Sequence, residues 1–405
     1  MEATNWAGNY AYRASRLHRP STLDELRAIV AAAPHVRVVG SRHCFTGIGD
    51  SHELISLAAL PPDVVVEDGT ATFGAGLTYA EVARALEPEG VALHNLASLP
   101  HISVGGSIAT ATHGSGDRNG NLATAVAALE LVTSDGDVVR LARGDADFDG
   151  AVVGLGALGV VTRVTVDVEP FYDVRQRVFE GLSWEALLGH FDAVTSSAYS
   201  VSVFTRWGDA TDMVWLKDRG EPAGELFDAR PATVERHPIM GVDPIRATAQ
   251  QGVAGPWYDR LPHFKIEFTP SNGEEIQSEY FVARGDAVAA IRALREIGDA
   301  IRPVLQVSEI RTMAADELWL SPQYRQDMVG VHFTWIRDQA AVERALAEVE
   351  AALEPFAARP HWGKLFLASP AALYERLDDF AALAARLDLR GAFRNDWLER
   401  LLGSR

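Results

Sequence analysis

Apolar positions along this chain recur with two different periods, and the changes from one to the other outline a mixed fold. Leu23, Leu26, Ile29 and Val30 fall at helical spacing, with Asp24 and Glu25 in the first turn. Acidic residues suit that end of a helix, and Ser21 is the expected N-cap. Val36 to Gly40 reads as a strand running into a Gly-containing loop, and Tyr79 to Leu86 as a second helix. A loop-rich stretch extends from His94 to Gly120. Leu129 to Leu141 predicts a hairpin, because Ser134-Asp135-Gly136-Asp137 is a turn sequence between apolar runs. From Val160 to Val168 the period is two: Val164, Val166 and Val168 share one face, Arg163, Thr165 and Asp167 the other, and Pro170 ends the strand.

The character changes near residue 170. Strands rich in Val, Phe and Trp now mix with two strong helices, near Arg284–Ile297 and Gln339–Leu353. The stretch from Gly220 to Pro262 carries several prolines and reads as an irregular excursion; the last forty residues return to helix. The expectation is an α+β fold without internal repeats. Residues 1–170 form an N-terminal domain, residues 171–365 a central domain with an antiparallel sheet flanked by helices, and residues 366–405 a segment returning to the first.

Composition narrows the function. The chain has 405 residues, 47% of them apolar, and a net charge of −18 without a long basic run. Nucleic acid and anionic membranes are therefore poor partners. No apolar run approaches the roughly 18 residues of a membrane span. Met1 to Trp6 lack the basic and apolar regions of a secretion signal, so a cytoplasmic location is expected. The single cysteine, Cys44, excludes an intramolecular disulfide framework and a multi-cysteine metal site, and no metal is expected.

Three glycine-containing segments bear on chemistry. Gly154-Leu155-Gly156-Ala157-Leu158-Gly159 has the spacing of a dinucleotide-binding turn, but that turn must open a helix, and here a strand follows. In Val38 to Gly47, a strand running into small residues can present successive backbone amides to a pyrophosphate. Ser103 to Gly116 is rich in small residues and hydroxyls, which allow close backbone approach. Either loop alone reads as an ordinary turn. The pair suits a large phosphorylated cofactor lying extended.

These loops, with Gly154 to Val161, resemble the FAD-binding domain (PCMH type) of the vanillyl-alcohol-oxidase class of flavoproteins. Within that class the chain is most similar to alditol oxidases, also called xylitol oxidases, with sugar-lactone oxidases next, and the resemblance implies a monomer. The resemblance runs from Asn5-Trp6-Ala7-Gly8-Asn9 through Ala97 to Ser103 and Glu309-Ile310-Arg311-Thr312 to Arg359-Pro360-His361-Trp362-Gly363-Lys364. It implies FAD bound covalently through His43 to the flavin 8α-methyl, which suits a neutral imidazole nucleophile. It further implies cofactor contacts from Val39, Gly40, Ser41, Arg42, Cys44, Ser98, Ser103, Gly106, Thr110, Ala111, Thr112, His113 and Val161. Arg42 and Cys44 depart from the smaller residues expected beside His43. Neighbours on an extended strand face opposite ways, so Cys44 is expected to be packed. Ala97 matches a small residue near the flavin edge that dioxygen must reach. Asp117 and His94 fall near these loops and also depart from the group's pattern.

On the substrate side, Glu309 and Arg311 are two apart in an expected strand and project from one face, as do Gln277 and Glu279, and His332 and Thr334. A carboxylate beside a guanidinium can accept from one hydroxyl of a polyol and donate to the next; a cross-strand salt bridge is the plainer reading of that pair. By resemblance Ser98, Gln277, Thr334 and Lys364 complete the substrate site. The implied reaction oxidises the terminal alcohol of an alditol by hydride transfer to flavin N5, giving the aldose and, with dioxygen, hydrogen peroxide. Lys364, its pKa lowered by Arg311 and burial, is the first candidate base and His332 the second. The alternatives are a sugar-1,4-lactone oxidase or dehydrogenase of the same fold and a non-catalytic flavin- or sugar-binding protein.

Overall fold

The computed structural model describes residues 4–221, 224–268 and 274–403. Local signals account for most elements. Tyr79–Leu86 is helical behind a complete capping box, in which the Thr78 hydroxyl accepts from Glu81 N and the Glu81 carboxylate accepts from Thr78 N. The helix Leu23–Ala32 is capped by Thr22; Ser21, the expected cap, instead donates its backbone N–H to the Glu25 carboxylate. The expected hairpin forms as Val126–Val132 against Val138–Ala142. The strand expected from Val36 is shorter than expected, ending at Val38, and a short strand not expected from sequence, Arg16–His18, precedes it. The loop-rich stretch also contains a helix, Val104–Ala109, in spite of its two glycines.

Among the described residues, the first half holds two sheets of three or more strands. A small parallel one orders Arg16–His18, Glu53–Ile55 and Val36–Val38. The other is antiparallel, in the order Val64–Glu67, Thr70–Gly74, Val160–Asp167, Val126–Val132, Val138–Ala142. The Gly154–Gly159 segment does lead into a strand, Val160–Asp167, and opens no helix. Pro170 does not simply end this region, since Glu169–Pro170 pairs with Val91–Ala92.

The second half is built on one antiparallel sheet. Its long strands run in the order Asp173–Glu180, Met213–Asp218, Ser200–Thr205, Leu305–Met313, Met328–Ile336, Glu275–Ala283, with short strands at both ends. Both faces are buried, and they differ in kind. Ile276, Tyr280, Val282, Ile310, Val331, Phe333 and Trp335 pack under the helices Ala287–Glu296 and Gln339–Leu353. The opposite face carries Gln277, Glu279, Glu309, Arg311, His332 and Thr334 toward the first half. Period-two alternation thus separates an apolar core face from a buried polar one.

The C-terminal helices Leu377–Leu387 and Asp396–Leu402 pack Phe380, Leu383, Trp397 and Leu398 into the core of the first half. Buried Arg37 secures that return, donating to the carbonyl oxygens of Ile48 (2.5 Å), Leu155 (2.6 Å), Gly156 (2.9 Å) and Phe393 (2.9 Å). Arg37→Met strands three buried acceptors, Gly156 being exposed, and is expected to cost about 3–5 kcal/mol, read as a lower urea midpoint.

Candidate active site

One cavity of about 1280 Å³ runs from the loops of the first half to the polar face of the large sheet. On the first-half side, Ser41 and Ser103 tie the two small-residue loops together: each backbone N–H donates to the other's Oγ, at 3.4 and 3.2 Å. The approach is so close that a Cβ on Gly40 would lie 1.9 Å from Ser103 Oγ. Gly40→Ala must push these loops apart, and loss of FAD from the purified protein is the expected outcome, read from its visible spectrum.

His43 faces this cavity with its ring stacked on Trp6 at a centroid distance of 4.8 Å. Both ring nitrogens are buried without a well-formed hydrogen bond. Burial first, then the nearby His101, lowers its pKa to about 4, so the ring is neutral near pH 7. The N-terminal motif anchors this loop: Asn5 Nδ2 donates to Cys44 O (2.9 Å) and Asn9 Nδ2 to Phe45 O (3.1 Å). Arg42 adopts φ +61°, so the segment is not the extended strand expected from sequence. Cys44 packs against the loop of Gly363, and burial pushes its thiol up to about 11.

Val39, Ser98, Gly106, Thr110, Thr112, His113 and Val161 also line the cavity, as does Ala97. Ala111 does not: it is fully buried at φ +52°, turned into the core. Asp117 and His94 lie outside the cavity lining as well. Asp117 pairs with both terminal nitrogens of Arg284 at 2.9 Å, and the His94 carbonyl accepts from the Tyr172 hydroxyl at 3.1 Å.

At the other end the sheet register assembles the charged cluster. His332 lies across from Glu309 on one side and from Glu279 on the other, and Thr334 lies across from Gln277. Glu279, 1% exposed, is its centre. Lys364 Nζ donates to Glu279 Oε2 at 2.7 Å, Arg311 Nη2 to Oε1 at 3.1 Å, and His113 Nε2 approaches Oε1 at 3.1 Å. Burial alone would raise the Glu279 pKa, but Lys364, His113 and Arg311 together hold it well below the usual carboxylate range. Arg311 Nη1 also donates to Ser98 Oγ at 3.3 Å, and its Nε lies 3.5 Å from Glu309 Oε1. The expected salt bridge therefore runs along one strand rather than across two, and it is long and poorly aligned; the main carboxylate partner of Arg311 is Glu279, two strands away.

Burial is the largest cause of the lowered Lys364 pKa, with Arg311 acting the same way and Glu279 opposing. Burial likewise keeps His332 well below its usual value. Gln277 Nε2 donates to Glu275 Oε1 at 2.5 Å, so its Oε1 faces His332 Nε2 at 3.2 Å and must accept from it. That leaves only Nδ1 of His332 free to take a proton. His113, Glu279 and His361 come within 4.8 Å of one another, as metal ligands would. Both oxygens of Glu279 are already paired with organic cations.

Three residues had been left out of the expected site. Glu279 was legible only as spacing. His263 and Lys217 flank the irregular excursion: His263 Nε2 meets Glu309 Oε1 at 2.8 Å, and Lys217 Nζ meets His263 Nδ1 at 3.1 Å. One signal for Lys217 existed, a lysine closing the apolar run Met213-Val214-Trp215-Leu216.

The residues present fit FAD: two interlocked small-residue loops, an unpartnered neutral histidine, and a long cavity ending at a buried charged cluster. The fold and cavity define a FAD-dependent oxidoreductase. Comparison with known proteins agrees. Residues 14–142 match the FAD binding domain family, and residues 270–401 the D-arabinono-1,4-lactone oxidase family. An alditol oxidase of Streptomyces sp. is 48% identical, over 98% of each chain. An L-gulono-1,4-lactone dehydrogenase of Mycobacterium tuberculosis is 29% identical over 99% of each. The fold is shared with the cholesterol oxidase of B. sterolicum, at a TM-score of 0.79 and 15% identity, covering 98% of this chain and 96% of that one. The chain belongs to the alditol oxidase family, within the vanillyl-alcohol-oxidase class.

Proposed function

We propose that this protein oxidises the terminal primary alcohol of a small alditol, such as xylitol or sorbitol, to the aldose, and reduces dioxygen to hydrogen peroxide. The observation that carries the reading is the buried cluster of two carboxylates, one guanidinium and one ammonium at the end of the cavity that His43 also lines. Such a set can accept from and donate to successive hydroxyls, which a purely apolar pocket could not do. Bound FAD would supply the two-electron acceptor for the hydride and the means of its reoxidation by dioxygen.

The protein's own groups do the rest. Lys364, with its lowered pKa, takes the hydroxyl proton, and Arg311 with Lys364 stabilises the negative charge developing on O1. Glu309, Gln277, Thr334 and Ser98 orient the remaining hydroxyls. Ala97 leaves space for dioxygen. Val39, Gly40, Ser41, Ser103, Gly106, Thr110, Thr112, His113 and Val161 hold the cofactor. His43 is its covalent anchor: a neutral imidazole with unpartnered nitrogens is free to act as a nucleophile. His43→Ala is expected to leave a folded protein whose yellow colour passes into the supernatant on acid precipitation, whereas wild-type colour stays in the pellet.

The test is the anaerobic visible spectrum before and after xylitol, with an aldono-1,4-lactone in parallel. Bleaching by xylitol that reverses in air supports the proposal. Bleaching by the lactone alone replaces it with a lactone oxidase or dehydrogenase, the reading favoured by the match over residues 270–401.

A further inference from the structure

We propose that Lys217 and His263 form a buried relay that locks Glu309 as a hydrogen-bond acceptor for a substrate hydroxyl. The inference rests on the alditol reading only for the identity of that hydroxyl. The relay itself is a matter of donors and acceptors.

Lys217 sits on the strand Met213–Asp218, two strands from Glu309, and is 1% exposed. Its ammonium has three acceptors: the Leu261 carbonyl, the Pro262 carbonyl at 3.1 Å and His263 Nδ1 at 3.1 Å. Burial lowers the Lys217 pKa to about 7, so the ammonium is its main form at pH 6; its three protons are each used once by this set. His263 is itself buried, and burial lowers its pKa to about 4, so the ring carries one proton. Its Nε2 lies 2.8 Å from the Glu309 carboxylate, which Arg311 and His263 hold ionised against burial. The proton therefore belongs on Nε2, and Nδ1 must accept, which the Lys217 ammonium enforces.

The ring has little freedom to leave this arrangement. Phe204 and Trp215 pack edge-on against it, at centroid distances of 5.4 and 5.3 Å, and its backbone N–H donates to Ser98 O at 3.0 Å. Among the described residues, the hydrogen bond from His263 and the ion pair with Arg311 both fall on Oε1 of Glu309. Glu309 lines the cavity, so Oε2 is left for a ligand hydroxyl. Burying an ammonium costs several kcal/mol unless its protons are all matched. Here the matching ends, through one imidazole, at the substrate site. Lys217 and His263 are positioning residues: they act through Glu309.

The test uses the FAD-loaded protein, wild type, Lys217→Met and His263→Phe, the last keeping the edge-on packing. Imidazole ¹⁵N NMR at pH 6 is expected to show His263 protonated on Nε2 in the wild type and as a tautomer mixture in Lys217→Met. An Nδ1–H wild type, or an unchanged Lys217→Met spectrum, overturns the relay whatever the substrate. In anaerobic stopped-flow with xylitol, both variants should bind ~10-fold or more weakly, with the limiting rate of flavin bleaching changed less. The loss should also grow from pH 8 to pH 5. Glu309 faces Arg311 on its own strand, His332 on the next and His263 with Lys217 behind it; without its donor from His263, it protonates at higher pH. A uniform, pH-independent loss in both variants overturns the proposal and leaves Lys217 as a fastener of the 261–262 carbonyls. A wild type that xylitol never bleaches would sink the alditol reading alone, since the NMR result still decides the relay.

Discussion

Glu279→Leu is expected to destabilise the protein by roughly 3–5 kcal/mol, the range for removing one partner of a buried ion pair. The buried carboxylate balances Lys364 and Arg311 at 2.7 and 3.1 Å. Leucine would leave two cations facing each other across the gap. Glu279→Gln, which keeps the shape and some hydrogen bonds, should lose less. The urea midpoint of the FAD-loaded protein measures both. The pH dependence adds a second check. Because the folded-state pKa of Glu279 lies below its unfolded value of about 4.3, its stabilisation is complete above that pH and fades as pH falls toward the folded value. The Glu279→Leu midpoint should therefore decline less steeply than the wild-type one below about pH 4. Parallel declines would place the stabilisation elsewhere.

Lys364→Met should slow flavin bleaching by xylitol about 10²–10³-fold, the usual consequence of removing one charge that stabilises a developing oxyanion. Binding should weaken less. The pH profile separates charge from base. In the wild type the rate should rise with pH through a pKa below the ordinary lysine value of about 10.4, as the amine becomes free to accept a proton. That limb should vanish in Lys364→Met, and arginine should not restore it, because a guanidinium does not deprotonate. If the limb survives in Lys364→Met and disappears in His332→Gln, the base is His332 acting through Nδ1.

Several expectations failed for identifiable reasons. Val104–Ala109 is helical although glycine disfavours helix, because Val104 and Ile108 are buried in the core of the first half and packing outweighs propensity. Arg42 takes a left-handed conformation, so the alternation argument for its neighbours did not apply, although Cys44 is packed all the same. Ala111 sits within a run of cavity-lining residues yet turns inward at φ +52°. Asp117, whose departure from the group's pattern had no assigned role, pairs with Arg284, 167 residues away.

By itself the sequence determined the α+β class, the helices at Tyr79–Leu86 and Gln339–Leu353, the hairpin, and the glycine segment that leads into a strand. It also placed Gln277 with Glu279, Glu309 with Arg311 and His332 with Thr334 on common faces, because a strand's period of two requires nothing beyond local geometry. Only the tertiary structure decided which of those faces meet. Strand register set His332 between Glu279 and Glu309, and the chain's return brought Lys364 onto Glu279 from 85 residues away. Lys217 and His263 lay furthest from the reach of sequence. Their partners are 46 residues or so along the chain, and only folding excludes the water that would otherwise satisfy their charges.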